Sequence, residues 1–133
     1  MLNAGAAVTR VLIVEDEDAD SQKAGKVCQK LGLDVQSMLA AETAEDFLER
    51  VIQGVFDPPG LILLDLGFQG ESGFAILRQW KSDPQLSSIP IVVWTHLSKV
   101  DRDLATLFGV KNVVTKSLGP AALESAVKQA VGI

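Results

Sequence analysis

The chain has 133 residues, 47% hydrophobic and 22% charged, with a net charge of −5 at pH 7. That length suits one domain with a substantial core, and the composition is globular rather than disordered. The acidic balance argues against direct binding to nucleic acid or to an anionic membrane, and no apolar run is long enough to span a bilayer.

Residues 1–9 carry no charged-then-apolar signal pattern and read as a flexible arm before a domain over 10–133. Val11–Val14 is an aliphatic run that predicts a buried strand. It leads straight into Glu15, Asp16, Glu17 and Asp18, with Asp20 just beyond. Ala24, Val27, Cys28 and Leu31 then share one helical face. Cys28 is the lone cysteine, so no internal disulfide forms and a cytoplasmic setting is expected. A weaker apolar run, Val35–Ala40, predicts the second strand. Thr43 is the candidate N-cap of a second helix with Ala44, Phe47, Leu48, Val51 and Ile52 on its inner face.

Leu61–Leu64 predicts a third strand ending in Asp65, followed by a helix whose Phe74, Leu77 and Trp80 repeat at helical spacing. Ile89–Trp94 predicts a fourth strand ending at Thr95, and Val100, Leu104, Leu107 and Phe108 mark the next helix. Val113 and Val114 lead to Lys116. A last helix enters through Gly119-Pro120 and faces inward with Leu123, Ala126, Val127, Ala130 and Val131. Near-continuous apolar strands imply a sheet covered on both faces. Five strands alternating with five helices therefore predict a doubly wound α/β domain with a parallel sheet in the flavodoxin-like order 2-1-3-4-5.

Ligands of such sheets bind beyond the carboxyl ends of the strands. Glu15, Asp16, Asp65, Thr95 and Lys116 occupy those ends on the first, third, fourth and fifth strands. Carboxylates crowded together repel one another unless a cation lies among them. Mg²⁺ suits one or two carboxylates, a backbone carbonyl and waters. Glu17, Asp18 and Asp20 have a plainer reading, as acids solvating a loop or favouring a helix N-terminus.

These segments together resemble the receiver domains of bacterial two-component response regulators, over residues 10 to 131. VLIVEDED is similar to the family's first strand and acidic pair, with Glu15 where aspartate is commoner. LILLDLGFQGESGFAIL is similar to the phosphoacceptor segment, with Gly73 at the family's glycine. DPQLSSIPIVVWT and FGVKNVVTK are similar to the approaches to the switch hydroxyl and the active-site lysine. The resemblance implies that Asp65 accepts a phosphoryl group from a histidine kinase or histidine phosphotransfer protein. It implies that Asp16, Asp65 and the Gly67 carbonyl bind Mg²⁺, with Glu15 acting through water. Lys116 would neutralise a phosphoryl oxygen and Thr95 would hydrogen-bond the phosphorylated form. The expected molecule is a stand-alone switch that changes its surface for a downstream protein target. It would be a monomer or weak homodimer with at most weak self-phosphorylation and self-dephosphorylation.

Four positions depart from the family pattern. Gln69 and Ser117 stand where proline is common, Val113 where the switch aromatic sits, and His96 where a small residue follows the threonine. Without proline, the Lys116–Ser117 bond is expected to be trans. Trp80, Trp94 and Cys28 read as core. Two other functions compete. A haloacid-dehalogenase-like phosphatase would use Asp16 as nucleophile, but needs a further acidic pair after the lysine. A flavin carrier would need a hydroxyl-rich phosphate loop, which five carboxylates would oppose.

Overall fold

The computed structural model describes residues 9–66, 72–96 and 99–133. The arm through residue 8, Gly67, Gln69 and Leu97 lie outside the described residues, as does the side chain of Val100. The elements run β1 (Arg10–Val14), α1 (Asp18–Lys30), β2 (Asp34–Met38), α2 (Ala41–Ile52), β3 (Leu61–Leu64) and α3 (Ser72–Ser82). Then come α4 (Pro84–Ser87), β4 (Ile91–Thr95), α5 (Lys99–Leu107), β5 (Asn112–Thr115), a 3₁₀ turn (Lys116–Leu118) and α6 (Pro120–Val131). The strands form one parallel sheet in the expected order β2-β1-β3-β4-β5.

Strand alternation divides the core in two. Leu12, Val14, Ile62, Leu64, Ile91 and Val93 face one side, where Phe47, Leu48 and Val51 of α2 and Ile76, Leu77 and Trp80 of α3 cover them. Val11, Ile13, Leu61, Leu63, Val92 and Trp94 face the other, beneath Ala24, Val27 and Cys28 of α1 and Leu123, Ala126 and Val127 of α6. Trp80 is core as expected, and its Nε1 donates to the Ile89 carbonyl at 2.9 Å.

Several local expectations shift. Thr43 is not the N-cap of α2; Ala40 is, with extended φ −131° and no side-chain cap. The chain leaves β2 at Met38, so the helix starts early and Thr43 falls inside its first turn. The fourth strand begins at Ile91, because Ile89 donates its N–H to Leu86 and Pro90 has none to give. The segment before it forms the extra helix α4, with Pro84 in its first turn and the Asp83 side chain accepting from the Gln85 and Leu86 amides. Among the described side chains of α5 the inward residue is Ala105, fully buried, whereas Leu104 and Leu107 are 41% and 77% exposed. The helix lies against the core through its small residue, which turns the two leucines outward. The described peptide bonds include no cis bond, so Lys116–Ser117 is trans.

Gly73 fixes how α3 meets the end of β3. A Cβ there would sit 2.7 Å from Leu66 Cα and 3.0 Å from the Asp65 carbonyl oxygen. Only glycine lets the helix start this close to the backbone that carries Asp65.

Candidate functional site

Backbone pairing sets the site before any side chain is considered. Val14 is level with Leu64, and Leu64 with Val93. The ladder continues one step past both strand ends: the Glu15 amide donates to Met38 O at 3.1 Å, and the Asp65 amide to Val14 O at 3.0 Å. Glu15 and Asp65 therefore leave the sheet side by side. Alternation sends them, with Trp94 and Lys116, towards the face covered by α1 and α6. Thr95 ends β4 opposite Thr115 of β5, on the alternate side from Trp94, and is buried.

The side chains complete a compact charged centre. Glu15 is 1% exposed and Asp65 is 6% exposed, while Asp16 is open to solvent. One carboxylate oxygen from each of the three lies within 4.8 Å of the others. This donor set fits a hard divalent cation, which takes oxygen ligands and keeps waters on its open side. The Lys116 side chain is itself 5% exposed. Its Nζ donates to Glu15 Oε2 at 2.7 Å, to Asp20 Oδ2 at 2.7 Å and to Asp65 Oδ2 at 3.3 Å.

Burial drives the Glu15 carboxyl up to about 7, against the lowering effect of its hydrogen bonds from Lys116 and the Glu17 amide. Burial also opposes the Lys116 charge, but the hydrogen bonds to Asp20 and Glu15 outweigh it and hold the ammonium above its ordinary pKa. Asp20 is held below the usual carboxylate value, chiefly by its hydrogen bond with Lys116.

Of the residues singled out in the sequence, Glu15, Asp16, Asp65 and Lys116 meet in one cluster, and Thr95 stands at the same sheet edge. Two residues do more than the sequence indicates. Asp20 is no mere loop acid: it pairs with the buried lysine from the first turn of α1. The signal was present, since Asp20, Ala24 and Val27 share the helix stripe that faces the sheet. Trp94 packs in the core, yet its ring centroid also lies 5.0 Å from Lys116 Nζ, a cation–π contact. Its buried Nε1 has no hydrogen-bond partner among the described residues. His96 is exposed, and lines a cleft beside Lys116 with Asp20, Lys23 and Trp94.

The family model of the response regulator receiver domain matches residues 11–128. The chain belongs to this family. The receiver is 33% identical over 101 residues to the response regulator Rcp1 of Synechocystis sp., a match covering 72% of this chain and 67% of Rcp1. A Mn²⁺-bound crystal structure of a response regulator Rcp1 superposes with a TM-score of 0.75 at 29% identity, covering 94% of this chain and 91% of that one. The phosphorylated cyanobacterial phytochrome response regulator RcpA superposes with a TM-score of 0.76 at 28% identity, covering 92% and 91%. Other relatives are longer: the match to the chemotaxis protein CheV1 of Helicobacter pylori spans 37% of that protein. The family is one of signalling switches, so the phosphatase reading is not favoured. Among the described residues, no helix is long and apolar enough to cross a membrane.

Proposed function

We propose that this receiver takes a phosphoryl group on Asp65 from a histidine kinase or histidine phosphotransfer protein, in a Mg²⁺-dependent reaction. The observation that carries the reading is Asp65 itself. It is a buried carboxylate at a strand end, clustered with Glu15 and Asp16 and within 3.3 Å of a buried ammonium. A new O–P bond forms at Asp65 as the P–N bond of the donor phosphohistidine breaks, and the electron pair returns to the imidazole.

Such transfer needs positioning and charge neutralisation more than covalent assistance. Glu15, Asp16, Asp65 and the Gly67 carbonyl would hold Mg²⁺, which supplies charge neutralisation when bound. Lys116 meets a phosphoryl oxygen and Thr95 donates its hydroxyl to another. The domain over 10–133 acts as a cytoplasmic switch, monomeric or weakly dimeric, whose altered surface engages a downstream protein rather than nucleic acid or membrane. Leu104 and Leu107 on α5 offer exposed apolar contacts for such a partner.

Asp65→Asn tests the assignment. Incubated with a labelled small phosphodonor and Mg²⁺, the wild type should be labelled and the variant blank, and EDTA should abolish labelling of the wild type. Full labelling of the variant rejects Asp65, and labelling in EDTA rejects the metal role.

A further inference from the structure

We propose that Asp20 is a positioning residue: it holds Lys116 off Asp65 in the resting protein and must release the lysine for the phosphoryl group. The inference rests on Asp65 as phosphoacceptor. An ammonium has three N–H donors, and here three carboxylates share them unequally. Charge-assisted N–H···O contacts are strongest at about 2.7–2.9 Å. Lys116 meets that standard with Glu15 and Asp20, both at 2.7 Å, but stands at 3.3 Å from Asp65. The lysine thus leans away from the reacting carboxylate.

The two competitors differ in what happens when a metal binds. Glu15 belongs to the oxygen cluster that suits the cation, whereas Asp20 does not. A cation drawing on Glu15 loosens that contact and leaves Asp20 as the remaining rival. Phosphorylation then replaces the single carboxylate charge of Asp65 with a phosphoryl group carrying about −1.5 to −2 and pulls Lys116 towards it. Asp20 would be left with Lys23, 3.8 Å away and with its side chain 70% exposed, a weak substitute. A cleft of about 440 Å³, bordered by Asp20, Trp94, His96 and Lys116, gives the two side chains room to separate. Because Asp20 belongs to the first turn of α1, releasing Lys116 also changes the charge balance at that end of the helix.

The test is the rate at which acetyl phosphate labels the protein with Mg²⁺ present, forming the Asp65 O–P bond as acetate leaves. Asp20→Asn removes the competing charge at constant size and should raise that rate about fivefold, the scale of one weakened charged contact. Asp20→Glu keeps the competitor and should stay within about twofold of wild type. In a Lys116→Ala background the Asp20→Asn change should have no effect, since Asp20 acts through the lysine. A structural role for Asp20 would not show that dependence on Lys116. If Asp20→Asn does not fold, Asp20→Ser removes the same charge and takes its place. An unchanged or slower rate overturns the proposal, as does equal acceleration without Lys116. Asp65→Asn is run alongside: labelling of that protein rejects the phosphoacceptor itself, whereas failure of the Asp20 variants alone leaves it standing.

Discussion

Glu15 is the residue whose proton the fold controls most directly. Burial moves its carboxyl from 4.5 to about 7, so the metal-free folded protein keeps this proton where the unfolded chain has lost it. Between those pH values the native state binds more protons, and the contribution of Glu15 to stability falls as pH rises. Above the window the charged side chain costs the fold about 3 kcal/mol. Asp20 acts in the opposite sense: its pKa lies below 3.8, so its contribution is present above that value and fades in acid. The two effects occupy different pH ranges. Urea unfolding in EDTA should therefore show stability dropping from pH 5 to pH 7.5, with a shallower drop in Glu15→Gln. Equal slopes for the two proteins would mean that Glu15 titrates alike folded and unfolded. Glu15, Asp16, Asp65 and Lys116 are legible in the sequence because each follows an apolar run, and a parallel sheet delivers those ends to one edge. Asp20 is harder to read, since an acid in a first helical turn already has a sufficient reason to be there.

At the scale of elements, apolar runs mark the strands and right-handed crossovers give their order, whereas boundaries depend on single hydrogen bonds. Asp83-Pro84 is a legible N-cap and first-turn signal for α4, yet the apolar Ile89 beyond it reads as strand. On α5, periodicity alone cannot tell that a fully buried Ala105, not two leucines, meets the core. The junction of β3 and α3 is the element contact on which the site depends most. Both atoms nearest a Cβ at Gly73, Leu66 Cα and the Asp65 carbonyl oxygen, are backbone and cannot swing aside. Gly73→Ala should cost about 2 kcal/mol through the forced shift. Because that shift displaces Asp65, labelling should slow as well. Chemical denaturation together with labelling rates on the same protein checks both effects. A stable variant labelled at the normal rate would show that α3 can retreat without moving the strand end.

For the molecule as a whole, the site concentrates negative charge in a chain that already carries a net charge of −5. Glu15, Asp16 and Asp65 draw together from two strand ends, with one lysine to balance them. Removing a cation should therefore weaken the entire fold, because the unfolded chain cannot assemble the three oxygens and a cation binds the native state alone. Linkage makes that stabilisation about 2.7 kcal/mol at a hundredfold excess over the dissociation constant. For a domain of this size it corresponds to a rise in melting temperature of about 10 °C. Screening of the net charge by salt also raises stability, so the comparison is made at matched ionic strength. Calorimetric scans in increasing MgCl₂ should show the melting temperature climbing while matched NaCl gives a smaller, saturating change. Asp16→Asn alters the exposed member of the cluster without touching the core, and should lose most of the Mg²⁺ increment yet melt near the metal-free wild type. If Mg²⁺ and NaCl shift the wild type equally, the cluster holds no specific cation and the crowded carboxylates are balanced by Lys116 alone.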